Sequence, residues 1–375
     1  MNEKVKTFVS NFLEILDIDS TSGKEKKLSD YLATKIIELS SNTRGKTCEL
    51  SRFDVGDGTE NLLFSWGKPF VTFCTHQDTV PPYIKTTTEK IPGKLSLGLK
   101  IDGEEIIPDY DIKFKGRGTC DAKGQLISLL YTCLELQYEG KNDFALLLLS
   151  GEETGSHGAQ HFAATHAGGE FVIVGEPTEN KIIKAAKGTD SFLITVNGKK
   201  AHSGYPKLGI SAINRFINLA SDLAQHKFPK DEVCGETTYN FGMLRSDNPQ
   251  NIISDLVTCR CYFRNTTASR NYVKDLMMSY NDNLTTIEDK GGDVPISFFI
   301  PEEIIKENEI PIDVVSFGSD APRLTNYKNK LLYGPGTIRV AHQKQEYVLL
   351  SDILKAIRDY HKIYTAIELK KITIL

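Results

Sequence analysis

Phe144-Ala145-Leu146-Leu147-Leu148-Leu149-Ser150-Gly151-Glu152-Glu153 is the stretch on which the reading of this chain turns. Six consecutive apolar residues without alternation predict a strand buried on both faces, as in a parallel sheet. The run stops at a glycine and two adjacent carboxylates, which repel each other unless they take different roles. The same arrangement recurs. Phe70-Val71-Thr72-Phe73-Cys74 is followed by His76 and Asp78, Phe171-Val172-Ile173-Val174 by Glu176, and Lys330-Leu331-Leu332-Tyr333, past a turn, by His342. In an open α/β sheet, side chains just beyond the carboxyl ends of the strands converge on one crevice. Asp121 follows the Gly116-Arg117-Gly118 turn and opens an amphipathic helix, where its carboxylate suits bridging two cations. Carboxylates gathered in this way need cations among them to stay ionised, so the pattern points to a metal enzyme.

The chain has 375 residues, 40% hydrophobic and 25% charged, enough for two ordinary globular domains. A formal net charge of −4 gives no electrostatic reason to bind nucleic acid or an acidic membrane. No run approaches the ~18 apolar residues of a membrane span. The amino terminus is amphipathic (Val5, Phe8, Phe12, Ile15, Leu16) rather than signal-like, so a cytoplasmic location is expected. The seven cysteines are scattered through apolar stretches and read as reduced core residues.

Helices are expected near 4–17 and 24–40, strands near 47–54 and 61–66, and then a β/α alternation through Pro177. The texture changes near Ile183. Strands at Ser191–Val196, Thr237–Leu244 and Asp255–Arg264 interleave with helices at Ile210–His226 and Tyr272–Thr285. The expected fold is therefore α/β, with a doubly wound, mostly parallel sheet in a catalytic domain (1–183 and 293–375). A smaller α+β, ferredoxin-like domain (184–292) is inserted into it. The returning segment is expected to supply Val314–Phe317, the Leu331–Tyr333 strand and a closing helix. Between Pro81 and Lys115, the stretches Lys94–Ile101 and Glu104–Ile107 suggest a hairpin.

His76 and Asp78 share a face of extended chain, so Asp78 can orient the imidazole. Of the paired glutamates, one can bind metal while the other faces substrate as a general base. His157 and His161, spaced i,i+4, offer a competing chelate. His202-Ser203 does not form nucleophile–base geometry, and no Gly-x-Ser-x-Gly elbow, Gly-x-Gly-x-x-Gly or phosphate-binding loop appears, so nucleotide cofactors are unsupported.

Six segments in order resemble the di-zinc peptidase and deacylase family that includes acetylornithine deacetylase, succinyl-diaminopimelate desuccinylase, aminoacylases, carboxypeptidases and dipeptidases. They are Thr75–Pro81, Gly116–Gly124, Ser150–Ala159, Gly175–Thr178, Ala201–Pro206 and Gly334–Gly336 with His342. The resemblance implies two Zn2+ per chain, with Co2+ a workable substitute. His76, Asp121 and Glu176 would hold one ion and Asp121, Glu153 and His342 the other. It also implies Glu152 as the general base and His202 as an oxyanion stabiliser that in the family reaches a partner subunit; Asp78, as the residue that orients His76, is counted with them among the expected catalytic residues. Arg264, Asn251, Gly318 and Ser319 would bind substrate, although the family's aspartate two residues before the arginine is Tyr262 here. The spelling of the Asp121 and Glu152 motifs is closest to the acetylornithine deacetylase-like branch. The expected activity is hydrolysis of an N-acyl amino acid such as N-acetylornithine by a homodimer, with a metallo-dipeptidase or carboxypeptidase as the alternative and a non-catalytic binding module as the remote one.

Overall fold

The apolar run 144–149 lies in strand Asp143–Leu149, which is buried at every position, and its four leucines are completely removed from solvent. Each contributes about 1.5–3 kcal/mol relative to an exposed position. The computed structural model describes residues 2–93, 95–307 and 309–374. It shows a mixed α/β fold with several sheets. Two compact units are present: residues 1–184, 298–313 and 319–375 form the first, and residues 185–297 and 314–318 the second.

In the first unit a six-stranded sheet runs in the order Glu49–Gly56, Thr59–Gly67, Asp143–Leu149, Val71–His76, Gly169–Gly175, Tyr327–Tyr333. The last four strands are mutually parallel. The first two are antiparallel to each other, and Thr59–Gly67 is antiparallel to Asp143–Leu149. The expectation of a mostly parallel sheet therefore applies to its centre and one edge. The opposite edge is a hairpin because only Asp57-Gly58 separates its strands, too short for a parallel crossover. Parallel register carries His76 level with Leu149, and Tyr333 level with Gly175, so the residues that follow emerge at one end of the sheet.

Helix Lys123–Tyr138 is buried along nearly its whole length, and helices Glu3–Leu16 and Leu350–Ile374 share its core. Edge-on aromatic pairs Phe8–Tyr131 (4.6 Å) and Phe12–Phe114 (4.9 Å) lock the first helix onto that core. The hairpin expected after Pro81 is present as Leu99–Ile101 against Glu104–Ile106, while Lys94, at the start of the expected stretch, lies outside the described residues.

The second unit is a four-stranded antiparallel sheet in the order Thr238–Arg245, Leu256–Asn265, Gly188–Asn197, Thr285–Asp289. Helices Ala212–Leu223 and Arg270–Ser279 contribute to its core. Two sequence expectations are corrected here. The helix expected over Tyr272–Thr285 stops at Ser279, and Thr285–Asp289 is a strand. The physical reason is Asp282, whose carboxylate accepts the backbone N–H groups of Leu284 and Thr285 and so competes with helical hydrogen bonding. Val314–Gly318, expected in the larger domain, belongs to the second unit, where Lys187 donates its amide to the Val315 carbonyl (3.1 Å).

Candidate metal centre and catalytic turn

The turn after Leu149 is fixed from several directions. Asn61 accepts the Ser150 amide (3.1 Å) and donates to the Gly158 carbonyl (2.9 Å), while Gly158 donates its own amide to Ser150 O (2.9 Å). A Cβ at Gly158 would fall 2.3 Å from that same oxygen, so only glycine allows this approach. Asp78 closes the turn from the other side. It is fully buried, its Oδ1 accepts the Glu152 amide (3.0 Å), and its Oδ2 accepts the Glu153 amide (3.1 Å) and the Ser22 hydroxyl (2.8 Å). His76 Nδ1 stands 3.4 Å from Asp78 Oδ1 and 2.9 Å from the Asp78 carbonyl oxygen. One carboxylate thus orients an imidazole and the backbone of both glutamates.

On the other face of that imidazole, His76 Nε2 lies 3.2 Å from Asp121 Oδ1. His342 Nε2 lies 3.2 Å from Asp121 Oδ2 and 3.0 Å from Glu153 Oε1. Asp121 therefore offers one oxygen to each histidine, the disposition expected of a bridging carboxylate. Potential ligand atoms of His76, Asp121 and Glu153 all fall within 4.8 Å of one another, the one such group of three or more among the described residues. His157 and His161 form no such group with a third residue. Glu176, buried at the end of strand Gly169–Gly175, leaves its Oε1 without a hydrogen-bond partner.

The electrostatics are those of a cluster short of positive charge. Burial, reinforced by the charges of Glu152 and Asp121, pushes the Glu176 carboxyl well above the usual range. Burial likewise pushes Glu152 well up, aided by Asp320 and Glu153 against the pull of His76. At Asp121 burial opposes ionisation, but the hydrogen bonds with His342 and His76 outweigh it and hold the carboxyl below its ordinary value. Bonds with Asp121 and Glu153 raise His342 to about 10, and Asp121 and Asp78 raise His76 against its burial. Protons and imidazoles here do the neutralising that a divalent cation does. The orphaned Glu176 oxygen and the mixed imidazole–carboxylate donors fit a divalent metal such as zinc.

Ser319 is in the first unit, buried, with its hydroxyl accepting the Ala321 amide (3.3 Å). His202, Asn251, Arg264 and Gly318 are in the second unit. His202 is exposed, accepts the Gly204 amide on Nδ1 (3.1 Å) and pairs through its backbone with Ile252, beside the Asn251 carbonyl that accepts the Ser203 amide. Arg264 places its guanidinium over the Tyr262 ring at 5.0 Å, so the residue standing in for the family's aspartate serves as a cation–π partner.

Three supporting residues escaped the sequence reading: Ser22, Arg117 and Glu346. Glu346 accepts the amides of Cys120 (3.1 Å) and Asp121 (3.2 Å) and pairs with Arg117. Burial and the Asp121 charge push its carboxyl up to about 7 against the pull of Arg117. Nothing in the local pattern of Gln343-Lys344-Gln345-Glu346 marks this role, because its partners lie more than two hundred positions away.

A family model described as peptidase family M20/M25/M40 matches residues 72–366. A peptidase M20 domain-containing protein of Schizosaccharomyces pombe is 29% identical over 368 residues, covering 94% of this chain and 83% of that protein. A probable carboxypeptidase of Emericella nidulans is 27% identical over 397 residues, covering 96% of this chain and 89% of that one. Among solved structures, a tripeptidase from Staphylococcus aureus superposes with a TM-score of 0.73 at 20% identity, over 96% of this chain and 97% of the other, and so shares the fold. With a match that takes in well over half of the chain, including all of the second unit, this chain belongs to peptidase family M20/M25/M40.

Proposed function

We propose that this chain is a metal-dependent hydrolase that cleaves the amide bond of short peptides. The observation that carries the proposal is the convergence of His76, Asp121, Glu153 and His342, with the buried Glu176, one oxygen of which is unpartnered, close enough to feel the charges of Asp121 and Glu152. His76, Asp121 and Glu176 would hold one zinc ion and Asp121, Glu153 and His342 a second, with cobalt able to substitute. Such ions, when bound, supply an electrophile for the amide carbonyl and make a water acidic enough to lose a proton near neutral pH.

The chain's own residues do the rest. Glu152 carries no ligand duty in this assignment, and its carboxyl is tuned upward by burial, which suits a group that takes a proton and later returns it. It accepts the proton of the attacking water as the C–O bond forms, and delivers it to the leaving nitrogen as the C–N bond breaks. Asp78 fixes the Glu152 and Glu153 backbone, so the base and one ligand keep a set separation. His202 would stabilise the developing oxyanion, and Arg264, Asn251, Gly318 and Ser319 would bind the substrate's termini, in a homodimer.

Relatives named as a carboxypeptidase and a tripeptidase support peptides as the substrate class. The N-acetylornithine-like substrate expected from motif spelling requires the same proton transfers, but none of the relatives described above bears such a name. A panel of di- and tripeptides alongside N-acetyl, N-succinyl and N-formyl amino acids, assayed for released amine with zinc and after chelation, decides between them. Chelator-sensitive cleavage of peptides is the expected result, and cleavage confined to N-acyl amino acids would overturn it.

A further inference from the structure

The proton chemistry gives no task to the buried ion pair of Arg117 and Glu346. The side chains of Arg117 and Glu346 are 3% and 0% exposed and stand 229 positions apart in sequence. Their contacts are unusually directed. One oxygen of Glu346 accepts the amides of Cys120 and Asp121, while its other oxygen meets Arg117 Nη1. Arg117 Nη2 then donates to the backbone carbonyl of His342 (3.5 Å), and its Nε donates to the Pro82 carbonyl (3.4 Å). The Glu346 carbonyl accepts the Gly116 amide (3.1 Å), which closes the same turn from behind.

The pair therefore grips backbone atoms of two candidate metal ligands, the amide of Asp121 and the carbonyl of His342. The side chains of those two residues meet at 3.2 Å. His342 also sits at φ +63°, a left-handed conformation that a non-glycine residue holds only when its surroundings impose it. A buried ion pair is weak ground for stability in itself, because desolvation offsets the attraction, and fixing geometry is among its better-attested uses.

We propose that Arg117 and Glu346 are positioning residues that fix Asp121 relative to His342 and so set how tightly the metal centre retains its cation. The proposal rests on the reading of the cluster as a metal centre. It explains why the two loops, more than two hundred positions apart in sequence, are joined by a fork-shaped guanidinium rather than by apolar packing: a planar donor fork fixes direction as well as distance.

The test uses the full chain loaded with Co2+. Its visible absorption spectrum, its cobalt release rate into excess chelator and its thermal midpoint are compared among wild type, Arg117→Met, Arg117→Lys and Glu346→Gln. Arg270→Met serves as control, since it breaks a partly buried ion pair with Asp190 in the second unit without touching a ligand. Partners of metal ligands typically change affinity by about 10–100-fold. Arg117→Met and Glu346→Gln should thus release cobalt at least about tenfold faster with an altered spectrum, Arg117→Lys should fall between them and wild type, and the control should match wild type. If Arg117→Met does not fold, Glu346→Gln and Arg117→Lys carry the comparison. Wild-type spectra and release rates in the variants, or equal acceleration in the control, would overturn the proposal. A wild-type protein that binds no Co2+ would instead defeat the metal-centre reading itself.

Discussion

Replacing Asp78 by asparagine changes almost no volume and tests whether one carboxylate holds the catalytic turn. In the structure its two oxygens receive the Glu152 amide at 3.0 Å, the Glu153 amide at 3.1 Å and the Ser22 hydroxyl at 2.8 Å, with His76 Nδ1 at 3.4 Å. Asparagine keeps one acceptor and turns the other into a donor, which then faces an N–H or must displace it. A hydrogen bond to a charged group contributes about 1.5–3 kcal/mol, and a buried donor left unsatisfied costs about 1–3 kcal/mol more. Taking roughly 3 kcal/mol of this as displacement of the Glu152–Glu153 turn, kcat/KM should fall about 100-fold, since about 1.4 kcal/mol corresponds to a factor of ten. Initial rates on a tripeptide at saturating zinc measure this directly, and the thermal midpoint shows that the variant is folded. An Asp78→Asn protein that is folded and within about threefold of wild type in kcat/KM would refute the reasoning.

Glu152→Gln should abolish turnover while leaving zinc content, measured by elemental analysis, nearly unchanged; substantial residual activity would remove Glu152 as the essential base. Ser22→Ala deletes one hydrogen bond to Asp78 and should lower kcat by about three- to tenfold with little change in KM, while Ser22→Thr restores it. Gly158→Ala would place a Cβ 2.3 Å from the Ser150 oxygen and 2.5 Å from Asn61 Oδ1, so its urea midpoint should drop by the equivalent of about 1–3 kcal/mol. Burial and Asp111 raise the Asp352 carboxyl from 3.8 to about 6. Between those values the folded chain binds more protons than the unfolded one, so this group's stabilisation is full below the lower value and is lost as pH rises toward the upper. Asp352→Asn should flatten stability between about pH 4 and 6 and raise it at pH 7 by roughly 1–3 kcal/mol, as read by denaturant melts across pH.

The parts of the fold that were legible in the sequence are those that depend on short-range pattern. The unbroken apolar runs at 144–149 and 171–174 marked buried strands because each is short, lacks alternation and ends at a glycine-containing turn, and the residues just past them gather where parallel strands end. The antiparallel edge at 49–67 was seen as two strands, but its direction depends on a turn rather than on strand composition. The Thr285–Asp289 strand was hidden because a side chain, Asp282, terminates the preceding helix through backbone hydrogen bonds that periodicity does not register. Likewise Ser22, Arg117 and Glu346 act on the site through single long-range hydrogen bonds, for which spacing along the chain carries no signal. The candidate ligands were visible as residue types at strand ends, whereas the groups that orient them became visible only in three dimensions.

The most direct measurement of the central claim is the rate of amino-acid release from a tripeptide by protein stripped with a chelator and then titrated with Zn2+. Activity should fall to the uncatalysed level on stripping and return as roughly two equivalents are added, the loading expected when one carboxylate bridges two ions. Peptide hydrolysis that survives stripping, or zinc-loaded protein that cleaves no peptide, would contradict the account.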